Sequence, residues 1–451
     1  MTPLLRIFPK SIRRFLLSAI LPAHLAANPS SGESRQDVQA PASEPTPGAQ
    51  AGSCPAAAAP ALVVPGDRFA SWVPSRELVY PSTDHRGTER LYSGRVYLPS
   101  PWLRRRSLAV PLVVYVHGTE TRPDQMPQFN RGEEAMVGAM AAYFRNFAVA
   151  MPDLPGYGKD PCRRPHPYCH AKCLAHAVLD MVHPALKLLD AEQRPWDGRV
   201  FIVGYSSGGY GAMAAVKEWH TNPRYAWIPL AGAACMAGPF HFAESTRALL
   251  AGDAPYHRPD IQVLLLHAYH DLYPDGGVFS PDRTLHPRLL ETRPHGIDRG
   301  NVQEWLQDCG DPVLFGQRIR FRLTGAADGR TAAREVLNPH WVETQLLSPH
   351  WPDTPAGRIL KENDLVGGWQ PKVPMLLATS PTDECVPARN TYAIMEDWTR
   401  AGCTAPVAFY PLTLFGTGVD HTSGAALALE KAFRWLGNLR KGGSLPLRSR
   451  L

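Results

Sequence analysis

The folded part of this chain lacks an excess of basic residues. The 451 residues carry a formal net charge of +6, but segments 1–27 and 440–451 together hold eight basic residues and no acidic one. The rest of the chain therefore has two more acidic than basic residues. A nucleic-acid groove needs basic side chains clustered on the folded part, so we predict no nucleic-acid partner.

The N-terminal segment lacks an apolar run long enough to cross a bilayer. Basic residues up to Arg14 precede an apolar run of seven residues, Phe15 to Leu21, whereas a transmembrane helix needs about 20. Basic residues, a short apolar core and then small residues are typical of a secretory signal peptide. We predict that residues 1–27 are a signal peptide cleaved near Ala27, and that the protein is secreted or periplasmic. A retained surface helix is the alternative.

The segment that follows lacks a periodic apolar face. Residues 28–64 are rich in Pro, Ala, Ser, Gly and Gln, a composition that cannot form a packed core. We predict a disordered linker here. The sequence from Ala51 to Cys54 resembles a lipoprotein acylation site weakly, but polar residues precede it, which disfavours lipidation.

Cysteines are few, and none forms a C-x-x-C pair. The eight cysteines are an even number in a chain with a predicted signal peptide, which favours disulfides. Cys385 and Cys403 bracket a predicted helix and would lie roughly 20 Å apart, too far for a bridge. Cys162, Cys169 and Cys173 are close in sequence, so two of them could pair.

The body of the chain alternates strands with helices. Apolar runs expected to be strands lie at 110–116, 147–151, 200–203, 228–233, 373–378 and 407–410. Helices are expected at about 133–147, 171–189 and 424–439, and a further helix places Ala388, Tyr392, Met395 and Trp398 on one face. This alternation predicts an α/β fold with a mostly parallel sheet covered by helices on both faces.

One long stretch interrupts the alternation. Residues 241–366 are rich in Pro, His and Arg, and an insertion of this length between core strands is typical of a cap or lid. Asn301–Cys309 can add a helix to it. We predict a core of residues 65–240 and 367–440 that carries this insertion, followed by a basic tail, 441–451.

The most informative motif is Gly204-Tyr205-Ser206-Ser207-Gly208. This G-x-S-x-G pattern follows an apolar run and precedes a stretch of small residues, which is the context of a nucleophile elbow. Gly204 and Gly208 permit the tight turn, and Ser206 is expected in a strained conformation with its Oγ exposed. Because an ordinary Gly-rich turn can match the pattern by chance, the strand and helix around it carry the prediction that Ser206 is a nucleophile.

A serine nucleophile needs a base and an orienting carboxylate, which an α/β sheet presents on loops at the carboxyl ends of strands. Asp383 and His421 each follow a predicted strand. The order Ser206, Asp383, His421 is that of α/β hydrolases. As alternatives, Asp383 caps the next helix, Glu384 or Asp420 is the orienting carboxylate, or His421 is a surface residue.

An oxyanion hole is expected from two backbone N–H groups. The first is that of Ser207, at the start of the helix after the elbow. The second is that of Thr119, in the loop after the strand at 110–116. Gly118 or a residue near Asp124 is the alternative second donor.

Motifs spread over most of the chain support these assignments together. They are His117–Thr119, Asp153–Gly158, His166–Tyr168, Leu179-Asp180, Gly204–Gly209, Tyr269–Pro274, Asp383–Pro387 and Asp420-His421. In this order, from about Pro65 to Leu439, the chain resembles the secretory lipase family of bacteria and fungi. It departs from that family in the loop after Gly118, which lacks Ala-Pro-Ser, and in an extended loop before His421.

The resemblance implies an α/β-hydrolase fold and an exported, cofactor-free lipase or esterase with a cap over an acyl pocket. The expected partner is a small-molecule or lipid ester, with transient contact to a lipid interface. Two other functions remain open: a peptidase, amide or polyester hydrolase on the same fold, and an exported binding protein without catalysis. The oligomeric state is not predicted.

Histidines among the neighbouring cysteines raise the possibility of a zinc site. The group comprises Cys162, Cys169, Cys173, His166, His170 and His176. Its spacing lacks a C-x-x-C pair, and the family resemblance accounts for His166. We therefore predict no metal and no cofactor.

Overall fold

The computed structural model describes residues 64–65, 73–99, 109–120, 126–130, 132–160, 164–252, 256, 259–287 and 336–442. The predicted signal peptide, the predicted helix Asn301–Cys309, nearly all of the predicted linker and most of the predicted basic tail lie outside these residues. Within the described part of the chain, no helix has both the length and the apolar character that a membrane span requires.

One sheet organises the described residues. Its nine strands are β1 (Val64–Pro65), β2 (Ser75–Thr83), β3 (Glu89–Tyr97), β4 (Val110–Val116), β5 (Ala148–Pro152), β6 (Trp196–Tyr205), β7 (Leu230–Met236), β8 (Met375–Thr379) and β9 (Val407–Pro411). The strand order is β1-β2-β3-β5-β4-β6-β7-β8-β9. The six strands β4 to β9 are parallel to one another. At one side of the sheet, β1 pairs antiparallel with β2, β2 with β3, and β3 with β5. The predicted mostly parallel sheet is confirmed.

Helices connect these strands. They are α1 (Gly132–Arg145), α2 (Ala171–Asp180), α3 (Val182–Ala191), α4 (Ser207–Thr221), α5 (Phe242–Leu250), α6 (Pro259–Leu272), α7 (Pro281–Thr284), α8 (Pro339–Trp341, followed by a π-turn, Val342–Leu346), α9 (Pro355–Glu362), α10 (Arg389–Arg400) and α11 (His421–Arg440). A small hairpin, β10 (Thr413–Leu414) and β11 (Thr417–Gly418), precedes α11.

The predicted single helix at 171–189 is wrong, because the chain forms α2 and α3 with a break at Met181. Pro184 accounts for the break. Its ring nitrogen has no hydrogen to donate to the carbonyl of Asp180, and the ring would clash with that carbonyl in a continuous helix.

Helices cover both faces of the sheet, as predicted. Alternate residues of β4 enter two separate apolar clusters, since side chains of a strand point to opposite faces. Leu112, Val114 and Val116 contact the cluster that includes α2 and α4. Val113 and Tyr115 belong to the cluster that includes α1 and α11. The α/β-hydrolase fold predicted from the sequence is therefore confirmed in its layers and strand arrangement.

The buried face of α10 differs from the prediction. Tyr392, predicted to face the core, is 38% exposed, whereas Asn390, Thr391, Ile394 and Trp398 are buried. Asn390 Oδ1 accepts from the backbone N–H of His241 at 3.2 Å. The apolar pattern missed this face because a hydrogen-bonded polar residue occupies part of it.

The described part of segment 241–366 packs against α2 and α4. The hydroxyl of Tyr210 on α4 donates to the carbonyl of Asn363 at 2.6 Å. The hydroxyl of Tyr269 on α6 donates to the carbonyl of Cys169 at 3.2 Å. These buried hydrogen bonds tie the segment to the helical layer that carries the elbow.

A buried carboxyl follows β5. Asp153 is fully buried, where its Oδ2 accepts from Ser93 Oγ at 2.5 Å and its Oδ1 from the backbone N–H of Gln128 at 2.8 Å. Burial raises the pKa of this carboxyl to about 6, against the lowering effect of both hydrogen bonds. The ordinary pKa of an aspartate is about 3.9.

We expect the free energy of unfolding to fall between about pH 4 and pH 6 through Asp153. In that range the folded state retains a proton that the unfolded state has lost, so rising pH favours unfolding by up to about 3 kcal/mol. Asp153→Asn keeps the shape and removes the ionisation. Urea unfolding from pH 4 to 7.5 should show the variant gaining stability relative to wild type as pH rises. A constant difference would contradict this assignment.

Candidate active site

The elbow motif forms a sharp turn between β6 and α4. Ser206 lies between Tyr205, which ends the strand, and Ser207, which begins the helix. Its φ of 60° and ψ of −130° are costly for a residue with a Cβ. The backbone N–H of Ser206 donates to the carbonyl of Met236 in the neighbouring β7 at 2.9 Å, which holds the turn against the sheet.

The two elbow glycines are required by close backbone contacts. A Cβ on Gly204 would overlap with the carbonyl of Gly208, and a Cβ on Gly208 would overlap with the carbonyls of Val116 and His117. Both neighbours are backbone and cannot move aside. The glycines therefore allow β4, β6 and α4 to approach closely enough to form the turn.

The structure brings the three predicted catalytic side chains into one hydrogen-bonded row. Ser206 Oγ lies 2.8 Å from His421 Nε2, and His421 Nδ1 lies 2.9 and 2.8 Å from the two carboxylate oxygens of Asp383. The side chain of Asp383 is 0% exposed and that of His421 is 12% exposed. The hydrogen-bond pattern assigns the imidazole proton to Nδ1, which leaves Nε2 to accept from the serine hydroxyl.

Sheet geometry explains why these distant residues meet. Tyr205 of β6 pairs with Met236 of β7, and Met236 pairs with Ala378 of β8, so the three strands end level. The loops that follow β6 and β8 therefore lie at the same edge of the sheet. Such an edge, at the carboxyl ends of parallel strands, is where α/β folds place their sites.

Asp383 is held by its own loop. Its Oδ1 accepts from the backbone N–H groups of Cys385 at 3.0 Å and Val386 at 2.8 Å. The following helix begins at Arg389 and its N-cap residue is Ala388, so the alternative in which Asp383 caps that helix is wrong. The loop therefore fixes the carboxylate in place, and both carboxylate oxygens face His421.

The two alternative carboxylates have other contacts. Glu384 Oε2 accepts from the backbone N–H of His421 at 3.0 Å. Asp420 caps α11 by accepting from the backbone N–H of Ser423 at 2.8 Å. Both position the backbone around His421 and leave the imidazole to Asp383.

Tyr205, the second residue of the elbow motif, also positions His421. Its hydroxyl donates to the carbonyl of His421 at 2.7 Å, and its ring centroid lies 5.1 Å from that of the imidazole. Burial, and then the nearby charge of Asp383, raise the pKa of Tyr205. The phenol therefore remains a neutral donor. The motif does not predict this role because its pattern leaves the position after the first glycine unspecified.

The predicted oxyanion residues lie side by side. Ser207 is the first residue of α4, and the first four N–H groups of a helix have no intrahelical acceptor. Thr119 Oγ1 donates to Ser207 Oγ at 3.1 Å and contacts the hydroxyl of Tyr168 at 2.9 Å. The loop after β4 is thereby fastened to the elbow, so Thr119 is placed next to Ser207.

Gly118 is unsuitable as the second donor because its N–H is already used. It donates to Glu134 Oε1 of α1 at 3.0 Å, and Glu134 Oε2 accepts from the hydroxyl of Tyr115. Glu134 thus fixes the loop at the residue before Thr119. The sequence does not predict this role of Glu134, because no local pattern links Glu134 to the loop after β4. Asp124, the other alternative, lies outside the described residues.

The cysteines show no bridge within the group at 162–173. Cys169, Cys173, Cys235 and Cys403 are free thiols, so the suggested pairing of Cys169 or Cys173 does not form. The Sγ of Cys173 instead lies 3.6 Å from His85 Nδ1. Cys162 lies outside the described residues.

Comparison with known proteins supports the fold. No family model matches the sequence, and no curated protein matches it. Among solved structures, the chain is similar to a hydrolase candidate from Legionella pneumophila (17% identity, TM-score 0.66, covering 83% of this chain and 90% of that chain). It is similar to the rice cell wall degrading esterase LipA from Xanthomonas oryzae (21% identity, TM-score 0.61, 82% and 91%). It is also similar to lipase A from Candida antarctica in its closed state (16% identity, TM-score 0.62, 86% and 83%). Together with the strand order, these likenesses show that the chain has the α/β-hydrolase fold.

Proposed function

We propose that this protein is a serine hydrolase that cleaves carboxylic esters through an acyl-enzyme. The observation that carries the proposal is the row of Ser206, His421 and Asp383, with the serine oxygen 2.8 Å from the imidazole nitrogen. A serine hydroxyl in hydrogen-bond reach of a base, which is itself oriented by a buried carboxylate, is the arrangement of an activated nucleophile.

The chemistry follows from these positions. Ser206 Oγ attacks the ester carbonyl carbon while His421 Nε2 takes the hydroxyl proton, and Asp383 stabilises the imidazolium that forms. The backbone N–H groups of Ser207 and Thr119 hold the oxyanion, each contributing about 3 kcal/mol in the transition state. Collapse of the tetrahedral intermediate releases the alcohol, which receives the proton from His421. Water then attacks the acyl-serine with His421 as base, releasing the acid and restoring the serine.

Esters are the favoured substrate class on two grounds. The names of the Xanthomonas esterase and the Candida lipase describe ester hydrolysis, and the motifs resemble the secretory lipase family.

We also propose that segment 241–366 is a cap over the acyl pocket. Phe415, at the tip of the β10–β11 hairpin before His421, is 93% exposed, which supports contact with a lipid interface. Export, with residues 1–27 as signal peptide, completes the proposal.

Substrate class can be tested by comparing leaving groups on the same acyl chains. We expect purified protein to hydrolyse p-nitrophenyl esters, with kcat/KM at least about 100-fold above that for matched p-nitroanilides, because the amide leaving group is the poorer one. A series of acyl lengths would define the pocket. Faster amide than ester turnover would indicate a peptidase or amidase. Turnover of neither, with a folded protein, would favour a binding protein.

A further inference from the structure

A second polar site lies in a cavity of about 310 Å³. Its lining includes His85, in the turn between β2 and β3, His170, just before α2, and Tyr273, just after α6. None of these residues belongs to the row of Ser206, His421 and Asp383. The cavity therefore needs its own explanation.

Three metal-ligating side chains converge beside this cavity. One nitrogen of His85, one nitrogen of His170 and the Sγ of Cys173 all lie within 4.8 Å of one another. His85 Nδ1 is 3.6 Å from Cys173 Sγ, and the two imidazole centroids are 4.8 Å apart. Ligands of a tetrahedral zinc ion lie about 3.4 to 3.7 Å apart, given zinc–ligand distances of about 2.0 to 2.3 Å. One pair already has this spacing, and the other two, which are no more than 4.8 Å apart, require shifts of at most about 1.4 Å.

We propose that His85, His170 and Cys173 bind a zinc ion, with the cavity supplying solvent as the fourth ligand. Two imidazoles and a thiolate form a donor set that suits zinc. The ion would join the β2–β3 turn to the start of α2. Because His170 Nε2 contacts the hydroxyl of Tyr273 at 3.1 Å, the site would also be coupled to the end of α6.

The electrostatic setting is compatible with a bound cation. A zinc ion would bind both imidazoles in their neutral form and the Cys173 side chain as a thiolate, with the thiol proton released to solvent. The cavity lining carries Glu218, Glu362 and Asp364 against Lys172 and Lys217, a formal charge of −1, and Asp84, Arg86 and Arg164 also act on His85.

Zinc binding replaces hydrogen bonds of both histidines, including the exposed one in which His85 Nε2 accepts from Arg86 Nε at 3.2 Å. His170 Nδ1 accepts from the backbone N–H of Cys173 at 3.3 Å, and His170 would give up this bond or the one to Tyr273, depending on which nitrogen binds. Either neutral hydrogen bond contributes only about 1 kcal/mol. A zinc–imidazole bond is stronger, so this exchange does not oppose binding.

The sequence could not show this site because one of its three members, His85, lies in a distant turn. Of the local histidines and cysteines, His170 and Cys173 take part, whereas His166 and His176 have other partners. His166 Nδ1 contacts the carbonyl of Pro155 at 2.7 Å, and His176 contacts Thr83 and Glu218. His85 comes from a distant turn and supplies the third ligand. A zinc ion bound here would make the predicted absence of a metal wrong.

Titration of the metal-free full chain with Co²⁺ tests the site. We expect about one Co²⁺ per chain, with a near-ultraviolet thiolate-to-cobalt charge-transfer band that Zn²⁺ removes by competition. His85→Ala, which changes a half-buried turn residue, and Cys173→Ser should each abolish the band. Cys403→Ser and the exposed His350→Ala are matched controls that should retain it.

A thermal-unfolding measurement complements the spectra. Zn²⁺ should raise the Tm of wild type and of both controls, and leave that of His85→Ala unchanged. Ester turnover is not the readout, so failure of the proposed hydrolase activity would not affect the result. The absence of a thiolate band in wild type, or an undiminished band in Cys173→Ser, would overturn the zinc site.

Discussion

Replacing Ser206 by alanine is expected to lower kcat/KM for a p-nitrophenyl ester by about 10⁴-fold or more. The variant loses the oxygen that lies 2.8 Å from His421 Nε2 and retains the backbone donors proposed for the oxyanion. Steady-state kinetics on the purified variant would measure the loss.

The fold should be unaffected by this change. Alanine at a φ of 60° is about as strained as serine. The elbow is held to the sheet by the backbone N–H of Ser206, which donates to the carbonyl of Met236, and this bond does not need the Oγ. The Tm should therefore stay within a few degrees of wild type. Ser348→Ala, in the inserted segment, is a serine control that should keep full activity. An active Ser206→Ala protein would reassign the nucleophile.

Asp383→Asn is the second large effect, expected to lower kcat/KM about 10⁴-fold at neutral pH. The backbone N–H groups of Cys385 and Val386 both donate to Oδ1, so an asparagine would place its oxygen there and direct its amide N–H at His421. The imidazole would then accept at Nδ1 and carry its proton on Nε2. In that tautomer it cannot take the proton of Ser206.

Glu384→Gln is the matched control for this variant. Its amide oxygen can still accept from the backbone N–H of His421, now bonded to Glu384 Oε2 at 3.0 Å, so we expect less than about a tenfold loss. Parallel kcat/KM measurements at pH 7 would compare the two. If Glu384→Gln lost as much activity as expected for Asp383→Asn, and Asp383→Asn stayed active, the orienting role would belong to Glu384.

Features set by local chemistry could be predicted from the sequence. The elbow depends on two glycines around a serine between a strand and a helix, and all of these are contiguous. Asp383 and His421 could be placed because a strand-end loop is evident from the apolar run before it. Parallel strands then bring such loops to one edge of the sheet. The alternation of strands and helices predicted the fold class because each of these elements is also recognisable from a local pattern.

Features that depend on distant pairing could not be predicted. The N–H of Gly118 is occupied by Glu134 of α1, which a strand-and-loop pattern does not reveal. The buried face of α10 includes Asn390, whose partner His241 lies in the inserted segment. His85 joins His170 and Cys173 only in three dimensions. In each case the deciding contact joins residues that no local periodicity connects.

Labelling with a fluorophosphonate tests the central claim most directly. The reagent reacts with a serine only when a neighbouring base activates it and the oxyanion is stabilised. Intact-mass analysis followed by peptide mapping should show a single adduct, on Ser206, in wild type and none in Ser206→Ala. A folded wild-type protein that takes up no adduct, or carries it on another residue, would contradict the account.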